Sequence, residues 1–206
     1  MDTPPFPLPG LRVLLADAGQ RRSPVLRFEL IRLRCQLVDV LDLVAEPEAL
    51  ARSLQRPAPE LLLIDCEQPT AGLLAQLAQL NTQRPRPVLL VAEQMTPEQM
   101  RAALHAGASA LQPAGLPPQR LGALLQLAVA RFEHDQALRT ELRQTQTQLA
   151  ERKLVERARG ILMREQGLDE EAAFQRLRQL AMTGGQTMAS VASRLIDADQ
   201  LLRPRQ

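Results

Sequence analysis

The sequence predicts an α/β half built on a doubly wound parallel sheet of five strands and an all-α half ending in a three-helix bundle, with one long helix between them. Three observations carry this. Short apolar runs of strand length alternate with helical patterns from Leu11 to Gln112, the order that builds a parallel sheet covered on both faces. From Leu121 to Glu156 there is no proline and, after Gly122, no glycine, and Gln, Arg, Glu and Leu dominate, which favours a single continuous helix. From Leu154 to Leu202 three apolar stripes recur at helical spacing, separated by glycines.

In chain order, the proline-rich stretch Met1–Gly10 reads as a disordered lead. Leu11 to Ala16 is the first buried strand, with Asp17 at its carboxyl end. A helix with Leu26, Leu30, Ile31 and Leu33 on its face follows, then a strand over Gln36 to Val40 and a helix from Pro47 to Leu54. Pro57 and Pro59 break the chain before Leu61-Leu62-Leu63-Ile64-Asp65, a third strand that also ends on an acid. Leu73 to Leu80 is helical, Val88 to Ala92 a strand, Pro97 to Ala106 helical, and Gly107 to Gln112 holds the last short strand. A doubly wound sheet brings Asp17 and Asp65 together at its carboxyl edge, where such folds place their sites. The expected partition is a lead over 1–10, an α/β domain over 11–132, a coiled-coil linker helix over 133–153 and a helical domain over 154–206.

Composition narrows the function. The 206 residues suffice for one large or two small domains. Aromatic content is 2%, with no Trp or Tyr, so the cores rest on Leu, Val, Ile and Ala, and recognition of RNA by aromatic stacking is not expected, Phe174 falling in a core pattern. A net charge of +2 excludes a generic nucleic-acid coat and points to a compact basic patch. Cys35 and Cys66 lie in apolar patterns and read as reduced core residues. No signal peptide or membrane-length apolar run is apparent, so a cytoplasmic protein is expected. His105 and His134 form no triad or metal constellation, the methionines read as packing residues, and no phosphate-binding glycine loop is present. No catalytic residue, metal or cofactor is expected, and the protein reads as a non-enzyme.

The C-terminal stripes are specific in detail. Leu154, Ala158, Ile161 and Leu162 precede Gly167. Asp169 is an N-cap with Glu170 and Glu171 behind it, and Ala173, Phe174, Leu177, Leu180 and Ala181 form a second face ended by Gly184-Gly185. Met188, Val191, Ala192, Leu195 and Ile196 form the third. The order Ala158-Arg159-Gly160-Ile161-Leu162-Met163, Gly167-Leu168, Ala173-Phe174, Leu177-Arg178, Ala181-Met182 and Ser190-Val191-Ala192 before Leu195-Ile196 resembles the ANTAR domain of the AmiR and NasT type transcription antitermination regulators. That resemblance implies binding to hairpin loops in leader mRNA and prevention of terminator formation. It makes Arg157, Arg159, Gly160, Arg164, Arg176 and Arg178 the RNA-binding candidates, with Arg159 preferred because it occupies the basic position of the Ala-Arg-Gly word and Gly160 removes bulk beside it.

The segment from Leu11 to Phe132 looks like a response-regulator receiver domain, Pro59-Glu60-Leu61-Leu62-Leu63-Ile64-Asp65 leading to the phospho-acceptor position Asp65. Its accessory groups are degraded. Ala18 follows Asp17 where receivers carry an acidic pair, Val91 falls where they carry Ser or Thr, and Ala114 or Gln112 stands in place of the Lys. Without these groups neither a divalent cation nor a transferring phosphoryl charge is stabilised, so Asp65 reads as a solvated strand-end acid. The resemblance then implies a pseudo-receiver controlled by a ligand-sensing regulatory protein. Leu138, Leu142, Thr145 and Leu149 follow a 4-3-4 spacing in the long helix and are expected to form the seam of a homodimer. Two alternatives remain open: a phosphorylated response regulator whose C-terminal helices bind DNA, weakened by Arg194 being the only cation between Thr187 and Leu202, and a protein-interaction module without nucleic acid.

Overall fold

The computed structural model describes residues 8–19, 22–46, 49–50, 59–113 and 117–202, and separates into two compact units, Met1–Gln136 and Ala137–Gln206. In the first, strands β1 (Arg12–Asp17), β2 (Gln36–Asp42), β3 (Leu61–Cys66), β4 (Val88–Ala92) and β5 (Ala110–Gln112) form one parallel sheet in the order β2-β1-β3-β4-β5. Helices α1 (Ser23–Arg32), α2 (Ala71–Gln83), α3 (Pro97–Ala106) and the start of α4 (Leu121–Gln166) cover it.

The two sheet faces follow from strand alternation. Leu14, Ala16, Leu62, Ile64, Val88 and Leu90 pack with Leu73, Leu77 and Leu80 of α2 and Ala103 and Ala106 of α3. Val13, Leu15, Leu61, Leu63, Leu89 and Val91 pack with Leu26 and Leu30 of α1 and Leu121, Leu125 and Ala128 of α4. Because both faces are covered, β1, β3 and β4 read as continuous apolar runs rather than alternating ones. Thr70 caps α2, and Thr96 with Gln99 forms a capping box on α3. Gly107 closes α3 at φ +107°, and a Cβ there would lie 2.4 Å from Asn81 Cγ, so both conformation and space require glycine.

Three expectations change. Ile31 does not share the buried face of α1: Leu26 and Leu30, four residues apart, set the stripe, and Ile31 lies a further 100° round the helix, exposed to solvent. Of the helix expected over Pro47–Leu54, only Ala49 and Leu50 belong to the described residues; both are helical and buried, and Pro57 and Ala114 also lie outside them. The third change is larger. The linker helix and the first C-terminal helix are one element, α4, unbroken from Leu121 to Gln166. Gly160, the sole interior glycine beyond Gly122, costs about 1 kcal/mol relative to Ala and does not stop it; Gly167, at φ +65°, does.

In the second unit the end of α4 packs with α5 (Glu170–Gly184) and α6 (Met188–Leu202). Ala158, Ile161 and Leu162 meet Ala173 and Leu177 of α5 and Ala192 and Ile196 of α6. Asp169 caps α5 by accepting from the Ala172 amide at 2.8 Å, and Gly185 ends it in the left-handed conformation. Leu180, expected on the apolar face, is exposed.

Candidate nucleic-acid interface and the acidic sheet edge

Register places Asp17 directly beside Asp65 at the carboxyl edge of the sheet. Both are buried. Asp17 accepts from the Gly19 amide at 2.9 Å. Asp65 is not the solvated acid expected from its strand-end position: it is 1% exposed and faces an arginine. Arg22, the residue preceding α1, sets Nη2 2.6 Å from Asp65 Oδ1 and donates from Nε to Oδ2 at 3.3 Å. Nη2 also donates to the Cys66 carbonyl at 3.1 Å. Among the described residues Oδ1 accepts no directed hydrogen bond, and it meets the guanidinium as a close ionic contact.

Burial pushes the Asp65 carboxyl above its ordinary pKa, Arg22 opposes that shift, and Asp17 and Glu93 add to it. The Cys66 thiol is pushed up to about 12, chiefly by burial and then by the charge of Asp65. The donor set does not fit the divalent cation of a receiver. Ala18 contributes no carboxylate, Arg22 supplies the positive charge against Asp65, and no group of three or more His, Cys, Asp or Glu among the described residues could hold a metal ion. Strand β4 ends on Ala92, one residue past Val91, and neither carries a hydroxyl. Gln112 donates to the Pro113 carbonyl.

In the second unit the structure divides the arginine candidates into two kinds. Arg157 and Arg178 are exposed and have no acid partner among the described residues. Arg176 is exposed and donates to Gln179 at 3.4 Å. Arg164 is engaged with Glu165 on α4 and with Asp199 on α6, each at 2.8 Å, so it ties two helices together. Arg159 is largely covered: it pairs with Glu170 and its guanidinium lies 5.8 Å from the centroid of the Phe174 ring. Phe174 itself is half-buried and stands outside the packed core, contrary to the periodic reading. Gly160 is exposed, with nothing within 4 Å of a Cβ built on it. Leu138, Leu142 and Leu149 are all more than half exposed, and the Thr145 hydroxyl donates to the Glu141 carbonyl. Periodicity points to Phe174 and the 138–149 seam and the family resemblance to the arginines and Gly160, but neither finds the partners of Arg22 and Arg159, which come from elements distant in sequence or across a turn.

A doubly wound α/β domain with a receiver-type strand order, followed through one helix by a three-helix unit, defines a class: a receiver-like domain carrying a C-terminal helical domain. Residues 143–196 match the family model of the ANTAR domain, and this segment is an ANTAR domain. The chain is 29% identical over 139 residues to the transcriptional regulatory protein PdtaR of Mycobacterium tuberculosis, covering 68% of each. It is 39% identical over 80 residues to the nitrate regulatory protein of Klebsiella oxytoca, a match spanning 39% of this chain and 20% of that protein. The fold of the first unit is also that of a CheY-like receiver domain from Methanospirillum hungatei, with a TM-score of 0.51 at 19% identity over 61% of this chain and 98% of that one. No helix among the described residues is long and apolar enough to cross a membrane.

Proposed function

We propose that the chain is an RNA-binding transcription antiterminator that recognises hairpins in leader mRNA, acts as a homodimer in the cytoplasm and catalyses no reaction. The observation that carries this reading is the ANTAR domain at 143–196, whose exposed arginines Arg157 and Arg178 have no acid partner among the described residues. Cations in that state are available to phosphates and to unpaired loop bases. The names of the similar proteins, a transcriptional regulator and a nitrate regulatory protein, support a regulatory role.

Control runs through the receiver-like domain by a ligand-sensing regulatory protein rather than by phosphorylation, because Asp65 already faces Arg22. Dimerisation through Leu138, Leu142, Thr145 and Leu149 would present two RNA-binding units to two hairpins and raise the effective concentration of the second contact. Gel shifts with hairpin RNA and duplex DNA test the reading. Retardation of hairpins at concentrations that leave duplex DNA free is the expected result, and equal binding of both would refute it.

A further inference from the structure

We infer that a cleft in the ANTAR domain is a slot for one unpaired nucleobase of the bound RNA loop, an inference that rests on the RNA-binding reading above. The cleft has a volume of about 540 Å³ and lies between one flank of α4 and the start of α6, with Val155, Arg159, Phe174 and Met188 among its walls and the exposed Gln148 and Glu151 also lining it. That volume falls within the roughly 300–1,000 Å³ of small-molecule sites.

Its chemistry suits a base. The Phe174 ring is half-buried, free of the packed core and overlaid by the Arg159 guanidinium at 5.8 Å, a combination of aromatic and guanidinium surfaces on which unpaired bases stack. Arg159 Nε is buried and has no hydrogen-bond acceptor among the described residues, an N–H that a base acceptor in the cleft would satisfy. The Glu151 carboxylate and Gln148 amide offer complementary groups to a base edge. The lining sets two carboxylates, Glu151 and Glu156, against two guanidiniums, Arg152 and Arg159, so it has no net positive charge to hold a phosphate inside, and the RNA backbone is left to arginines outside the cleft.

A second copy of the chain fits this cleft poorly. Continuing the 4-3-4 spacing beyond Leu149 leads to Arg152 and Glu156, which pair with each other at 3.1 Å instead of presenting apolar side chains to a partner helix. The slot would give the phenyl ring a stacking role that the 2% aromatic content did not lead one to expect.

The test uses the full chain. Hairpins are selected against it from a pool with one stem and a randomised loop, and 2-aminopurine is then placed at each loop position in turn. One position should change fluorescence on binding. Phe174→Leu should lose that signal and about tenfold in affinity, the scale of one base–aromatic stack, while keeping the salt slope because no charge is removed. Phe174→Tyr should keep both. Parental affinity and signal in Phe174→Leu would overturn the slot while leaving RNA binding intact. Conversion of a parental dimer to monomer by Phe174→Leu, seen by sedimentation, would assign the cleft to a second copy. Failure of every hairpin to bind the unaltered chain better than duplex DNA would remove the RNA-binding reading and the slot together.

Discussion

The guanidinium of Arg22 stands 2.6 Å from the carboxylate of Asp65, with the two side chains only 19% and 2% exposed. In a site that has no second acid after Asp17, this arginine is the cation against the strand-end carboxylate. The pair ties the start of α1 to the carboxyl edge of the sheet, since Arg22 also donates to the Cys66 carbonyl.

The two halves of that pair should not be equivalent. Arg22→Ala leaves a buried carboxylate without its counter-charge and should destabilise the first unit by about 3 kcal/mol. Asp65→Asn should cost less, since the partly exposed Arg22 keeps its bond to the Cys66 carbonyl. Urea unfolding of both variants measures the difference, and equal losses would contradict it. Read-through of the cognate leader should be unchanged in Asp65→Asn.

The raised pKa of Asp65 fixes a direction for pH dependence. An acid whose folded pKa exceeds its unfolded value binds more protons in the native state, so its contribution to stability falls as pH rises from about its ordinary 3.8 through the folded value. Asp65→Asn should flatten that part of the profile in unfolding experiments across the acid range. An unchanged slope would show that the group is not shifted upward.

Cys66, with its thiol pushed to about 12, should resist alkylation in the native protein at about pH 8, because almost no thiolate is present. Mass spectrometry after iodoacetamide treatment, with and without denaturant, reads this directly. Rapid native labelling of Cys66 would contradict its burial.

If the proposed seam joins two copies, Leu142→Glu should shift the chain toward monomer by placing an unpaired charge in it. Sedimentation over a range of concentrations decides it. A variant as dimeric as the parent would move the seam away from Leu138, Leu142 and Leu149.

Among the arginines, Arg157→Ala with Arg178→Ala should weaken hairpin binding and lower the salt slope by about two, with little change in thermal stability. Arg164→Ala should instead loosen α6, since it loses the contact with Asp199. Arg159→Ala and Arg178→Ala combined should lose hairpin affinity, but the Arg159 change should also lower stability because Glu170 and Phe174 lose their partner. Salt-dependent titration alongside thermal melting separates the two effects; an unaltered slope for the Arg157 and Arg178 pair would place the phosphates elsewhere.

Local sequence by itself determined the alternation of strands and helices, the acids at the ends of β1 and β3, the Asp169 cap, the glycines that close α4 and α5, and the motif order of the ANTAR domain. Each is written in periodicity or in a backbone conformation that few residues adopt, and so needs no knowledge of distant neighbours. Tertiary structure alone decided that Arg22 meets Asp65, that Arg159 turns toward Glu170 and Phe174, and that Phe174 opens onto a cleft instead of entering the core. Those outcomes depend on which long side chain from another element reaches a given charge or ring first. A flexible guanidinium leaves no periodic trace of that in the chain that carries it.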